Sequence, residues 1–209
     1  MISFNGLAVA TSRISGDGTE TCSYGTPTSN LAGGCAVQTI STDFRWQTGN
    51  PNNAGALWIS YADTGADGST LAPTAAVPVF TVTETFSTHI GDVLNLDVWA
   101  DDTAEVFIND DSLFPPNFSQ SVCSNGAIGC EPGENGKISY TFFTEGIQTL
   151  TFDVFQIGTG GTNSSNPFGL LYSGTVNTAV PEPSSIFLML TGLLGMGFAS
   201  LKQIHAYTS

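Results

Sequence analysis

The stretch PVFTVTETFST, residues 78–88, decides the fold class of this 209-residue chain. Its apolar residues Phe80, Val82 and Phe86 alternate with threonines, so a strand here has one face on a core and the other in water. The same alternation of period two recurs at residues 93–100, 104–109, 137–144, 147–156 and 168–176. Several short strands separated by turn-rich segments predict an all-β protein, a two-sheet antiparallel β-sandwich of the jelly-roll kind.

The alternating strands define the domain organisation. We expect the β-sandwich module to occupy residues 36–178, because turn signals and alternation fill this range and no amphipathic helix of useful length occurs in it. Residues 1–35 are predicted to be an irregular N-terminal segment with a disulfide loop. Residues 1–10 lack the basic start of a secretory signal, so we expect the true start of the protein to lie upstream.

The charge balance excludes broad classes of partner. Only 4 Lys and Arg stand against 18 Asp and Glu, giving a net charge of -14. Such a chain repels phosphate backbones, so a nucleic-acid partner is not expected. Hydrophobic residues make up 41% of the sequence and include 14 Phe and 3 Trp, which is enough for a packed core and excludes a disordered acidic tail.

Residues 186–201 form an uncharged apolar run that differs from the alternating pattern of the module. Sixteen helical residues span about 24 Å, close to the roughly 30 Å hydrocarbon core of a bilayer, so we predict a transmembrane helix at 186–202. A buried core helix is the alternative, although such a helix would normally have a polar face. Lys202 is the basic residue that flanks the run, which predicts a cytoplasmic tail at 203–209 and a module on the other side of the membrane.

Residues 179–185 form the connection to this run, and Pro181 and Pro183 make it a stiff, extended spacer around Glu182. The order of Val180-Pro181-Glu182-Pro183, an apolar span and a basic residue resembles the PEP-CTERM sorting signal of exported proteins of Gram-negative bacteria. The resemblance implies processing by the membrane protease exosortase, a transient anchor in the inner membrane, and a final place at the cell surface or in the extracellular matrix. The arginine cluster usual in that family is replaced here by Lys202 and His205.

Four cysteines form two local pairs, Cys22 with Cys35 and Cys123 with Cys130. An even number beside an export signal indicates disulfides, although four cysteines allow three connectivities. Zinc is the rival interpretation, but neither pair has the spacing of zinc ligands.

A second resemblance covers most of the module. The segments ALWIS at 56–60, VWADDT at 98–103, VFIN at 106–109 and NPFGLLYSG at 166–174 occur in the order seen in a group of exported PEP-CTERM proteins. That group is similar to the galactose-binding type of β-sandwich. The resemblance implies a fold but no activity, since such folds carry many ligands.

The three tryptophans are candidates for stacking on sugar rings, against the alternative of core packing. Trp58 and Trp99 lie in apolar strands and favour the core, whereas Trp46 lies beside an Asn-rich turn and is the candidate that we expect to be exposed. Asp101 and Asp102 open a turn between strands and are candidate ligand-binding residues. Accepting hydrogen bonds from turn amides is the alternative that explains them without a ligand.

Calcium is the one cofactor that the acidic turns suggest, with Asp110 and Asp111 opening a second such turn. No cofactor or metal is otherwise expected. No catalytic triad or nucleophile elbow is evident, and eighteen acids single out no glycosidase pair. The sequence therefore favours an exported, non-enzymatic surface or matrix protein. The alternatives are a carbohydrate-binding module for extracellular polysaccharide and a cryptic glycoside hydrolase.

Overall fold

The computed structural model describes residues 9–48, 55–66, 76–119, 123, 126–157 and 166–179. The chain divides into two compact units. Residues 11–178 form the larger unit, and residues 1–10 with 179–209 form the smaller one, of which only residues 9, 10 and 179 are described.

The described residues form eleven strands and one short 3₁₀ helix, Thr26–Thr28. The strands are β1 Val9–Ser15, β2 Thr21–Tyr24, β3 Gln38–Thr39, β4 Ile59–Ser60, β5 Phe80–Thr88, β6 Val93–Asp101, β7 Thr103–Ile108, β8 Asp111–Phe114, β9 Gly136–Thr141, β10 Gly146–Phe155 and β11 Gly169–Ala179. Sheet A has the order β3-β4-β11-β6-β9, with β1 also beside β11, and sheet B has the order β2-β5-β10-β7-β8.

The alternation of period two sets the pairing of the long strands. In sheet B, β5 and β10 pair so that Val82 lies opposite Phe152, and both side chains are fully buried. In sheet A, β6 and β11 pair so that Val98 lies opposite Tyr172. Every pair with a described register is antiparallel. The prediction of an all-β, two-sheet antiparallel sandwich is confirmed.

The two ends of the sandwich differ in which strands begin and finish there. At the tail end, β6 begins at Val93 and β11 finishes opposite it. At the far end, β6 finishes at Asp101 opposite Gly169, the first residue of β11. Because the strands of a pair run in opposite directions, features near the end of β11 share the tail end with the turns before β6 and before β10.

The prediction of an irregular segment at residues 1–35 is wrong for two stretches. Residues 9–15 form β1 and pair with β11, and residues 21–24 form β2 and pair with β5. Both strands extend sheets that the longer strands already define, so their extended conformation depends on long-range pairing rather than on a strong local pattern. The disulfide loop of this segment is present, since Cys22 of β2 bonds to Cys35.

A second disulfide joins Cys123 and Cys130, so both local pairs predicted from the sequence are confirmed. The turn at residues 109–112 differs slightly from expectation. Asn109 and Asp110 adopt positive φ angles of 48° and 71°, which makes them the centre of a tight hairpin. Asp111 and Ser112 already belong to β8, a strand that the sequence pattern did not predict.

The main core lies between the sheets. Its aromatic residues meet edge to face or tilted, with ring centroids of Phe80 and Phe168 5.7 Å apart and those of Phe152 and Tyr172 4.3 Å apart. The aliphatic side chains predicted to face inward on β6, β7 and β10 are buried there.

The predicted spacer, transmembrane helix and cytoplasmic tail at 179–185, 186–202 and 203–209 lie outside the described residues, apart from Ala179. A search of the described residues finds no helix with the length and apolar character to cross a membrane.

A polar bridge connects the two sheets. The hydroxyl of Tyr172, from sheet A, lies 2.8 Å from Oε2 of Glu84 in sheet B and 3.0 Å from Oε1 of Glu20. A phenol has one proton to donate, so both contacts are hydrogen bonds only when one carboxyl group carries a proton. Glu20 also accepts the backbone N–H groups of Asp17 and Gly18, so its oxygens already have two donors.

The proton of this bridge therefore belongs on Glu84. Burial raises the pKa of Glu84 to about 7, and the charges of Glu20 and Asp17 add to the shift, while the Tyr172 hydrogen bond opposes it. Burial, followed by the neighbouring carboxylates, also raises the pKa of Tyr172. The bridge is complete when Glu84 is protonated, donates to Tyr172, and Tyr172 donates to Glu20.

This arrangement predicts a stability that falls with rising pH. The folded-state pKa of Glu84 lies above its ordinary value of 4.5, so its contribution is fully present below pH 4.5 and is lost as the pH rises through 7. We expect Glu84→Gln, which mimics the protonated form, to be more stable than the wild type at pH 8 by about 1–2 kcal/mol, after allowing for partial exposure. Urea unfolding from pH 4 to 9 measures this difference.

Glu145→Gln is the matched control, because it removes the same charge from an exposed turn. A wild-type stability that tracks that of Glu84→Gln across the whole range would contradict the assignment of the proton.

Candidate functional site

Two of the candidate ligand-binding residues lie together, but not on an open surface. Trp46 is only 1% exposed, so the prediction that it is exposed is wrong. Its indole Nε1–H donates a 2.7 Å hydrogen bond to Oδ2 of Asp101, which is itself buried. The sequence could not show this contact, because the two residues are 55 positions apart and meet only when a loop folds over the outer face of sheet A.

Trp46 belongs to a second, smaller core on the outer face of sheet A, here called the tryptophan cluster. Its buried members are Trp46, Ala56, Trp58, Trp99, Cys123, Cys130 and Leu171. The expectation that Trp58 and Trp99 pack in a core is confirmed, although that core lies outside the sandwich.

The cluster is held by stacking, hydrogen bonds and a disulfide. The rings of Trp46 and Trp58 stack with centroids 4.1 Å apart, and Nε1–H of Trp58 donates to the carbonyl of Gln47 at 2.8 Å. Both indoles lie over Gly169, where a Cβ atom would come within 3.2 Å of each ring. Gln47 in turn donates its backbone N–H to the carbonyl of Cys130, which connects the tryptophan loop to the disulfide loop. No face of these rings is left for stacking on a sugar.

Asp101 and Asp102 join the end of β6 to the start of β7, and both are buried. Burial raises the pKa of Asp101 well above its usual value, and the charge of Asp102 adds to this, whereas the Trp46 hydrogen bond and the charge of Arg45 oppose it. Asp102 accepts the backbone N–H of Ile157 at 3.0 Å. These carboxylates therefore act as acceptors within the fold, and the donors are a distant indole and a distant backbone N–H rather than the turn amides that the sequence analysis considered.

The structure does not bring the four candidate calcium ligands together. Asp101 and Asp102 stand at the far end of β7, whereas Asp110 and Asp111 follow its other end. Six residues of strand separate the pairs by roughly 20 Å. A carboxylate oxygen of Asp101 does lie within 4.8 Å of the sulfurs of Cys123 and Cys130, but these sulfurs form a disulfide and are not thiolate ligands.

An open groove of about 720 Å³ lies on the same outer face of sheet A, next to the tryptophan cluster. Its floor is the continuation of the face that carries Trp99 and Leu171, two residues further along each strand. Polar side chains form two rows of three across β11, β6 and β9: Ser173, Asp97 and Lys137 in one row, and Thr175, Asn95 and Ser139 in the next.

The groove holds its polar groups in fixed positions. Asn135 donates a 2.6 Å hydrogen bond to Oδ1 of Asp97, which orients that carboxylate. The hydroxyl of Ser173 is buried, and it has no hydrogen-bond partner among the described residues. A buried hydroxyl without a partner costs free energy that a bound donor or acceptor would recover. Neighbouring strands lie about 4.8 Å apart, so the three-strand rows offer a polar surface about 10 Å wide.

The sequence analysis did not predict the groove, although the alternation that places its side chains is present in the sequence. Asn95 and Asp97 alternate with buried leucines in one predicted strand, and Ser173 and Thr175 occupy outward positions in another. The alternation showed that these side chains face outward. It could not show that β6 is the neighbour of β11, which is what places both pairs on one surface.

Comparison with known proteins identifies one region of the chain. Residues 179–202 match the PEP-CTERM protein-sorting motif. No curated protein matches the chain. The matched residues include Pro181, Glu182, Pro183 and Lys202, which the sequence analysis assigned to sorting and membrane orientation and which lie outside the described residues.

The fold and the motif together define a class of protein. The β-sandwich ends with β11 at Ala179, the residue at which the sorting motif begins. In sequence order, the protein has an acidic, disulfide-bonded β-sandwich followed by a PEP-CTERM sorting motif. It is an exported protein that is sorted to the cell surface through exosortase.

The burial of Trp46 and Asp101 predicts that their hydrogen bond contributes to stability rather than to ligand binding. We expect Trp46→Phe to lower the free energy of unfolding by about 1–3 kcal/mol, because the buried carboxyl group of Asp101 loses its donor. Asp101→Asn keeps an acceptor for the indole and should cost less. Urea unfolding followed by circular dichroism compares the variants without relying on tryptophan emission.

Phe44→Leu provides a control in the same loop, since Phe44 is 90% exposed and its replacement should change stability by no more than about 0.5 kcal/mol. Equal effects of Trp46→Phe and Phe44→Leu would show that the hydrogen bond contributes nothing measurable.

Proposed function

We propose that this protein is a non-enzymatic component of the cell surface or extracellular matrix, with a structural or adhesive role. The observation that carries the proposal is the sorting motif placed directly after the last strand of the sandwich. Two disulfides support a life in an oxidising compartment. A net charge of -14 keeps such a protein soluble beside other anionic surface material.

The hydrogen bonds of the carboxyl groups of Glu20, Glu84 and Asp101 support a non-enzymatic role. Glu20 and Glu84 are the carboxylates that most resemble a hydrolytic pair, because one is protonated near neutral pH and the other accepts backbone hydrogen bonds. Both carboxylates contact the same Tyr172 hydroxyl, so each already has a hydrogen-bond partner within the fold. Asp101 is sealed behind Trp46.

We infer further that the sandwich is a jelly roll of the galactose-binding type. The strand order supports this, since β4 to β11 alternate between the two sheets, interrupted only by the β7–β8 hairpin. Four of these eight strands then lie in each sheet, in the orders β4-β11-β6-β9 and β5-β10-β7-β8, which is the arrangement of two interlocked Greek keys.

The sorting route is tested by changing the Pro-Glu-Pro element. In a host that contains exosortase, we expect Pro181→Ala with Glu182→Ala to leave the protein unprocessed and associated with the cell, because the stiff extended segment presented to the protease is lost. Immunoblotting of cell and medium fractions, with the mass of the secreted product, measures the effect.

The chain offers a matched control. Glu131→Ala with Pro132→Ala removes the same two residue types from a loop of the sandwich. Processing and location that are identical in the wild type and in the Pro181 and Glu182 variant would overturn the sorting assignment.

A second proposal concerns the adhesive contact: the groove on sheet A binds a polysaccharide. The carrying observation is the two rows of polar side chains across β11, β6 and β9, which include a carboxylate that is oriented by Asn135. Alternating hydroxyl, amide, carboxylate and ammonium groups supply both the donors and the acceptors that sugar hydroxyls need. The proposed sugar contact uses polar residues rather than Trp46, the tryptophan that the sequence analysis expected to be exposed.

The charge of the protein indicates which polysaccharide to test. With 18 acids against 4 basic residues, the molecule repels a polyanion, and Lys137 is the basic residue that lines the groove. A neutral hexose polymer avoids this repulsion and still offers a hydroxyl on most ring carbons.

Affinity electrophoresis of the full chain through gels that contain neutral glucans, galactans or mannans tests the groove. We expect retardation in at least one gel, and a loss of about fivefold in affinity for Asn95→Ala or Ser139→Ala, the equivalent of one hydrogen bond of about 1 kcal/mol. Ser87→Ala removes a serine from the exposed edge of sheet B and should have no effect. Unretarded migration in every gel would overturn the polysaccharide proposal, and only the structural role would remain.

A further inference from the structure

Three large apolar side chains are exposed together at the tail end of the sandwich. Ile90 is 68% exposed, Phe143 is 79% exposed and Ile147 is 70% exposed. Ile90 lies in the turn before β6, Phe143 in the turn before β10, and Ile147 in the first residues of β10. We call these three residues the apolar tip.

Backbone hydrogen bonds connect the turns that carry the tip. Gly91 donates its N–H to the carbonyl of Phe142, and Phe142 donates its N–H to the carbonyl of Asp92. Ile147 pairs with Ser87, three residues before Ile90. Beneath the tip, Phe142 is buried and packs edge to face against Phe86, so the exposed residues stand on a rigid base. Their exposure is therefore a property of a well-packed end of the fold.

The chain leaves the sandwich at this same end. Asn177 pairs with Val93, the first residue of β6, and the hydroxyl of Thr178 lies 3.2 Å from Oδ2 of Asp92. Asp92 in turn accepts the backbone N–H of His89, so the last residues of β11 reach the turn that carries Ile90. The sorting motif follows from residue 179.

We propose that the apolar tip inserts into the headgroup region of a phospholipid bilayer while the protein is anchored by its sorting tail. This inference rests on the anchored stage of the proposed route. Six residues, 180–185, separate β11 from the apolar run, and even fully extended they span no more than about 22 Å. In an anchored chain, a tether of this length limits how far the end of β11, and with it the tail end of the sandwich, can lie from the membrane surface.

Charge selects lipid over a second copy of the protein as the occupant. Two copies would each bring a net charge of -14 to the contact, which opposes self-association. The acidic groups on the turns of the tip are Glu145 and Asp92, so a zwitterionic surface suits it better than an anionic one. Three side chains give weak binding alone, but the tether supplies a high effective concentration.

The positions of the native tryptophans allow this proposal to be tested by tryptophan fluorescence. All three are buried in the tryptophan cluster near the far end, so a tryptophan placed on the tip reports its own environment. The full chain carrying Phe143→Trp is mixed with phosphatidylcholine vesicles that contain brominated lipids, and vesicle binding is followed by flotation. Ile90→Trp is a second reporter. Leu57→Trp, at an exposed position near the first residues of β11, is the control for the opposite end.

We expect vesicle-bound protein to show a blue shift and bromolipid quenching for Phe143→Trp and Ile90→Trp, and neither effect for Leu57→Trp. Flotation without quenching of the tip reporters would overturn the tip proposal and leave the anchored tail standing. Failure of the full chain to float would overturn the anchored stage and the tip proposal with it. A blue shift without vesicles, together with a dimer in analytical ultracentrifugation, would show that a second copy covers the tip instead.

Discussion

The central place of β11 in sheet A is the constraint on which the rest of the structure depends. The strand has β6 on one side and β1 and β4 on the other, so all its inward side chains must fit the core and all its outward ones must fit the outer face. Tyr172 points inward and completes the polar bridge to sheet B, while Leu171 and Ser173 point outward into the tryptophan cluster and the groove. A slip of one residue would exchange these roles and destroy all three features together.

The outer face of sheet A is divided along its length by what covers it. Near the far end, two loops cover Trp99 and Leu171 and hide them with the indoles of Trp46 and Trp58. Further along the same strands, the described residues leave a polar groove on this face. An antiparallel sheet with one wet face normally has a uniform polar exterior. Here the local presence of a cover decides where the surface is apolar and where it is available to a ligand.

The sequence predicted β5, β6, β7, β9, β10 and β11 because each carries its own alternation, as Phe80 and Val82 do in β5. It could not predict short strands such as β4, where only Ile59 and Ser60 are extended and the pairing to Leu170 provides the order. The candidate site shows the same difference between features set by local sequence and features set by long-range contacts. Disulfide partners close in sequence were predictable, whereas the Trp46 to Asp101 contact depends on how a loop folds over a distant strand end. The sorting motif was readable because proline geometry and an uncharged apolar run act locally.

The disulfide between Cys123 and Cys130 has a consequence for the order of events in the life of the chain. Its loop forms one wall of the tryptophan cluster and accepts a hydrogen bond from Gln47 of the opposite loop. In a reducing cytoplasm this wall has no covalent closure. Passage into an oxidising compartment therefore adds the covalent closure of this part of the cover of sheet A.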